Sequence, residues 1–385
     1  MIYSNYLKKI NTLFLAMINA LMTAGLDFRR YFISLSVCFG MVACQGQEAS
    51  LETTTEELVA KIQRDVDPAF VYDYSKSKFV PPAGKKLLIM GQTLEDIHDY
   101  MEAFSDRPMP GGWSAYWGIP EFAGITETYR NENGSSHNHQ SLVDRFPNSV
   151  INSGLWMVGT WGVARNTANG SYDRVIKKFG KWAKSIDRPI YLRIGYEFDG
   201  PHNELDPTEY VKAYRRIVDI MRDQGVDNVA FVWHSYIFEP YKNHPISAWY
   251  PGDDYVDWVG VSMFGLLYQD ADLLERGNAV LAFAKEHGKP VMAAEASPTE
   301  GIEPNDIEVW NSWFVNFFSV CFEKNIKAIS FINANWSAYS FPGVDWKDAR
   351  LTNNTRVADA WFLETNSEVY LKQSPELFDQ LGYEP

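Results

Sequence analysis

The sequence predicts an α/β chain closed into a (β/α)8 TIM barrel forming a single domain, and three observations predict it. Eight short apolar runs recur beyond residue 84, each followed by a loop and a helical stretch. The runs are nearly continuous in apolar residues, as in parallel strands covered on both faces, and only the second, GWSAYWGI, alternates. No run leads into a glycine-rich phosphate turn, and the pair Gly111-Gly112 precedes a strand, so the doubly wound open sheet lacks its usual mark.

The elements follow in order. Arg29 and Arg30 precede YFISLSVCFGMVAC, a short apolar run closing in small residues, so residues 1–43 read as a lipoprotein-type secretory signal, with Met22 an alternative start. The end Met-Val-Ala-Cys resembles a bacterial lipoprotein box, which makes Cys44 the lipidated residue. Residues 44–78 are a polar tether that becomes an amphipathic helix with Leu58, Val59 and Ile62 on one side, and 79–385 form the barrel domain. Its strands are KLLIMG, GWSAYWGI, VINSGLWMVG, PIYLRIGYE, NVAFVWHS, VDWVGVSMF, PVMAAE and AISFINANW. Helices fall between them at 171–185, where Val175, Ile176, Phe179 and Trp182 share a face, at 207–224, which opens on a proline, at 272–287 and at 308–324.

Composition narrows the function. The 385 residues are 46% hydrophobic, enough for a large core, and 15% aromatic, a supply that suits both packing and the lining of a carbohydrate cleft. Forty-nine acidic residues face 35 basic ones and leave a net charge of -14, which argues against nucleic acid as a partner. With Cys38 in the signal and Cys44 under lipid, Cys321 is alone in the folded part and no internal disulfide is expected.

Glu197 and Glu295 each follow an apolar strand, the fourth and the seventh, and a barrel puts both on one rim. Two carboxylates across a cleft can cleave a glycosidic bond, one protonating the departing oxygen and the other attacking the anomeric carbon or activating water. Arg193, four residues before Glu197, is expected to point into the barrel and hold a carboxylate ionised. Trp156, Trp233 and Trp336 lie near strand ends, where an indole can stack on a pyranose. His202 and His234 follow strands four and five, placed to bond sugar hydroxyls or to sit satisfied at the surface. Asp199 serves as a second cleft acid or as a turn cap. His137 and His139, in YRNENGSSHNHQSLVDRF, are read as part of a flexible loop lining the cleft, with no metal or other cofactor expected.

RIGYEFDGP, AWYPGDDYVDWVGVSMF, KPVMAAEASP, and INANW followed by WKDAR resemble in order the signature segments of glycoside hydrolase family 26, retaining β-glycanases with (β/α)8 barrels. The likeness spans roughly residues 85–355. It implies that Glu197 is the acid/base, Glu295 the nucleophile and Trp336 the floor of the subsite for the cleaved sugar. Tyr196 stands where the family often has histidine, and Phe264 ends strand six where a tyrosine commonly touches the nucleophile; both are therefore expected to contact the sugar. The third strand ends in LWMVG without the histidine that follows the tryptophan in many mannanases. The expectation is an exported, lipid-anchored, monomeric retaining endo-glycosidase of the bacterial cell envelope, bound to the membrane only through its anchor. Its polysaccharide substrate is β-mannan by default, with β-xylan, β-glucan or a marine glycan as alternatives. The competing reading is an inactive glycan-binding lipoprotein that kept the cleft.

Overall fold

The computed structural model describes residues 53–384 apart from 158, 160, 238–243, 265–270 and 341–344; Cys44 and the signal lie outside the described residues. Thr54–Pro385 form one compact unit. Its core is a closed ring of eight parallel strands: β1 (Lys86–Gly91), β2 (Gly112–Gly118), β3 (Val150–Trp156), β4 (Ile190–Ile194), β5 (Val229–Ser235), β6 (Trp258–Phe264), β7 (Val291–Ser297) and β8 (Ala328–Ile332). Each pairs with the next, and β8 pairs with β1 in register Leu87 to Ala328 through Gly91 to Ile332, which closes the barrel. The eight runs of the sequence are these eight strands.

Alternate residues build two separate cores. Leu87, Ile89, Val150, Tyr191, Val232 and Trp258 fill the interior, together with Met292 and Ala294. Trp113, Trp117, Ile151, Leu192, Phe231 and Trp233 face outward, against the helices. The alternation visible in the second run has this origin: Gly112, Ser114 and Tyr116 point inward while Trp113, Ala115 and Trp117 pack under helices. Gly112 leaves no room for more, since a Cβ there would lie 2.6 Å from Val150.

The helix Thr55–Ala60 starts on a capping box, Thr54 accepting from the Glu57 N–H while Glu57 accepts from that of Thr54. Leu58, Val59 and Ile62 are buried, and the Trp310 indole donates to the Leu58 carbonyl at 3.0 Å, so this helix belongs to the barrel unit. Pro207–Asp223 begins with Asp206 capping the Glu209 N–H and Pro207 in the first turn, where a missing N–H costs nothing. At the N-terminal end of the barrel, Phe79, Leu371, Leu377 and Leu381 plug the interior, and Tyr191 donates to the Phe79 carbonyl at 2.6 Å. With that end sealed, the open rim at the C-terminal ends of the strands is left for chemistry.

Candidate active site

Two local departures from regular strand geometry aim the glutamates. β4 ends at Ile194, and the chain then turns through Gly195 (φ +54°) to Glu197 (φ +53°). A Cβ on Gly195 would lie 2.6 Å from Met157. The strand alternation that would put Arg193 and Glu197 on one side therefore stops before Glu197, which a left-handed turn presents instead. A non-glycine residue in that region costs roughly 1–3 kcal/mol, offset by surrounding contacts. Asn203 supplies two of them, donating to the carbonyls of Tyr196 at 2.9 Å and Glu197 at 3.0 Å.

Glu295 is aimed by a β-bulge. Val261 and Ile329 both pair with Ala293, but further on Ser262 pairs with Glu295 and Phe331 with Ala296, so β7 carries one extra residue against both neighbours. Met292 and Ala294 already face the interior, and strict alternation would send Glu295 outward to the helices. The extra residue turns it inward.

Arg193, fully buried, pairs with Glu295 Oε1. Tyr116 donates to the same oxygen at 2.6 Å, and Ser114 Oγ accepts from Arg193 at 3.2 Å. Both contacts converge on Oε1, which leaves Oε2 to face a substrate. Burial raises the Glu295 carboxyl to about 7, and the charge of Glu197 acts the same way; the Arg193 guanidinium and the Tyr116 phenol pull toward ionisation. Burial also holds the Tyr116 phenol neutral, hence a donor. Gln92 lies 2.6 Å from the same phenol oxygen.

Glu197 is 6% exposed; its Oε1 accepts from Ser262 Oγ at 2.5 Å, and its Oε2 lies 2.9 Å from His202 Nε2. Burial lowers the His202 pKa, but the Glu197 contact outweighs it and raises the ring above its ordinary value. Asp199 does not cap the turn that follows it. It accepts from Ser235 Oγ and the Tyr236 N–H, both at 2.6 Å, tying the loop after β4 to that after β5, and burial lifts its carboxyl to about 6.

The aromatic residues divide. Tyr196 is half-buried over the Arg193–Glu295 pair, its ring 4.9 Å from Tyr116 and 5.5 Å from the Arg193 guanidinium carbon. Trp156 is half-buried at the rim, edge-on at 5.2 Å to Trp161, which is 68% exposed. Phe264 and Trp336 lie in a rim cluster with Trp346; the Trp336 indole donates to Ser297 at 2.9 Å and the ring is 3% exposed, so the more open face of this cluster belongs to half-buried Trp346. Trp233 corrects the expectation of a platform. It is fully buried, stacked 4.6 Å from Phe198 and donating to the Trp249 carbonyl at 3.0 Å, because its place in β5 faces the helices.

His234 is likewise not at the surface. It is fully buried inside the barrel, and burial beside Arg193 drives its pKa well below the ordinary value. His137 and His139 are buried as well: His137 in the hairpin of Tyr129–Arg130 and Ser136–His137, His139 between the Gly124 carbonyl at 2.6 Å and Ser153 at 2.9 Å. Both rings are packed against the barrel rather than exposed in a cleft, His137 lying 5.4 Å from the Tyr116 ring. Among the described residues no group of three His, Cys, Asp or Glu is arranged to hold a metal ion. Sequence reasoning missed Tyr116, Gln92 and Ser262; the inward positions of the alternating second run were the available signal for Tyr116.

A model of glycosyl hydrolase family 26 matches residues 167–336. The chain is 30% identical over 331 residues to a β-1,3-xylanase from a Vibrio species, covering 80% of this chain and 70% of that protein. It is 29% identical over 332 residues to a β-1,3-xylanase from an Alcaligenes species, covering 80% and 68%. In three dimensions it is similar to the family 26 β-mannanase of Bacteroides ovatus, with TM-score 0.53 and 15% identity over 79% of this chain and 94% of the other. It is also similar to an endo-β-1,4-mannanase of Cellulomonas fimi, with TM-score 0.54 and 14% identity over 84% and 79%. At these identities the two structures share the fold.

Proposed function

The chain belongs to glycosyl hydrolase family 26 and is a glycoside hydrolase of β-linked glycans, and from that premise we propose that it cuts β-1,3-xylan within the polymer, with retention, using Glu295 as nucleophile and Glu197 as acid/base. The observation that carries the assignment of roles is the convergence of Arg193 and Tyr116 on Glu295 Oε1. A carboxylate held by two donors on one oxygen is fixed in place and kept available for attack through the other. Glu197, without a cationic partner as permanent as arginine, is the group free to exchange a proton.

In the first step Glu295 Oε2 bonds to the anomeric carbon as the glycosidic C–O bond breaks, and the leaving oxygen takes the proton of Glu197. Water then gives a proton back to Glu197, its oxygen bonds to the anomeric carbon, and Glu295 leaves as carboxylate. Arg193 and the neutral Tyr116 phenol receive the charge that returns to Oε1.

β-Mannan, the family default, gives way to β-1,3-xylan because two relatives aligned over 80% of the chain are β-1,3-xylanases. Tyr196 and Phe264, which depart from the residues common in the family beside the reacting sugar, are compatible with a sugar other than mannose. Residues 1–43 and Cys44 support export and lipid anchoring in a bacterial envelope. The test is to incubate the purified protein with β-1,3-xylan, β-1,4-xylan, β-1,4-mannan and β-1,3-glucan, size the products and follow their anomeric protons. Oligosaccharides of retained configuration from β-1,3-xylan are expected. Cleavage of mannan alone would sink the substrate, and xylose as sole product would sink the internal cut.

A further inference from the structure

Three side chains connect the two glutamates through the barrel interior. Arg193 Nη1 pairs with Glu295 and also lies 3.5 Å from His234 Nδ1; His234 Nε2 is 3.0 Å from Ser262 Oγ; and Ser262 Oγ is 2.5 Å from Glu197 Oε1. Arg193, His234 and Ser262 are all fully buried, so water does not substitute for any link.

The direction of this chain can be worked out from either end. Arginine has donors only, so His234 Nδ1 must accept and the ring proton sits on Nε2. From the other end, an ionised Glu197 only accepts, so the Ser262 hydroxyl donates to it and must in turn accept from His234 Nε2–H. Both ends require the same tautomer. A proton on Glu197 Oε1 would point at a serine oxygen whose own hydrogen has no other acceptor among the described residues, because His234 already presents a hydrogen to it. Two hydrogens do not fit a 2.5 Å gap.

We propose that His234 and Ser262 are positioning residues that confine the acid proton of Glu197 to Oε2, the oxygen facing His202. This rests on the reading of Glu197 as the acid/base. Confinement replaces two protonated forms, one of them aimed into the barrel wall, by the one able to reach a leaving oxygen. The charged and titratable groups facing Glu197 are Glu295 from β7, Tyr196, Asp199 and His202 from its own loop.

The experiment has two arms. In purified protein labelled with nitrogen-15 histidine, with His234 assigned through His234→Gln, Nε2 should carry the proton and Nδ1 none from pH 5 to 9. An Nδ1–H tautomer, or a ring that titrates in this range, would overturn the proposal. In the second arm Ser262→Ala should lower kcat/KM on β-1,3-xylan about tenfold more than on an aryl xyloside with a good leaving group, since only the former needs the proton. Ser262→Thr should restore the native ratio of the two activities. Equal losses on the two substrates would refute the positioning role, and if Ser262→Ala fails to fold, the tautomer decides. Undiminished xylan cleavage by Glu197→Ala would remove the acid/base premise itself, a separate failure.

Discussion

Tyr116→Phe should move the pH dependence of the enzyme rather than scale it. The phenol donates to Glu295 Oε1 at 2.6 Å inside a buried site, and the phenyl ring that remains keeps its contacts with Tyr196 at 4.9 Å and His137 at 5.4 Å. A hydrogen bond to a charged group contributes about 1.5–3 kcal/mol. At 1.36 kcal/mol per pH unit, losing it raises the carboxyl by about one to two units. Glu295 already stands at about 7 through burial. The nucleophile must be ionised, so activity is lost as pH falls through its pKa, and raising that pKa moves the acid limb of kcat/KM upward to about pH 8–9. At pH 7 the ionised fraction drops from about one half to between roughly 1 and 10%, a loss of about 5- to 50-fold. The assay is kcat/KM against pH on an aryl xyloside whose departure needs no proton. Activity should recover to within a few-fold of the unmodified enzyme above pH 9. A uniform loss at every pH, with the limb unmoved, would show that Tyr116 acts through shape and not by holding Glu295 ionised.

Other substitutions test the remaining assignments. Glu295→Ala should abolish turnover of every substrate, with azide giving an inverted glycosyl azide. Glu197→Ala should nearly abolish xylan cleavage yet form the glycosyl-enzyme from an aryl xyloside, and azide should then give the retained product; swapped stereochemistry would swap the roles. Trp233→Ala, emptying a fully buried site, should cost about 3–5 kcal/mol in denaturant unfolding while leaving KM within about twofold, and a large rise in KM with unchanged stability would return Trp233 to the cleft. Cys44→Ser should release active enzyme from the membrane fraction, whereas undiminished membrane association would assign anchoring to the apolar segment before it.

Much of this site could be read before any coordinates. All eight apolar runs are barrel strands, and both glutamates lie toward the C-terminal ends of theirs, Glu197 just past β4 and Glu295 within the last residues of β7. Trp233 reads as a cleft residue and is a buried one, because nearness to a strand end says nothing about which face a side chain occupies. In β5 the interior takes Ala230, Val232 and His234 and the helix side takes Phe231 and Trp233, a parity hidden where both faces are apolar. The same parity carries His234 inside, where a polar residue beside a strand end looks like a surface group.

The sequence by itself determined the barrel, its order and the presence of two acids at one end, because near-continuous apolar strands with intervening amphipathic helices have few other ways to bury themselves. The orientation of those acids was decided only in the tertiary structure. Strand alternation would have sent Glu295 toward the helices, and the extra residue that turns it inward exists only as a mismatch between β7 and both of its neighbours. Glu197 likewise depends on a left-handed turn held by Asn203 from six residues on. Nor does any local pattern connect Tyr116, Arg193, His234 and Ser262, which come from four different strands and meet because closing the ring turns their inward faces toward one another. A periodicity along one chain segment specifies which side faces the core, whereas a bulge, a strained turn and a four-strand contact are properties of the pairing between segments.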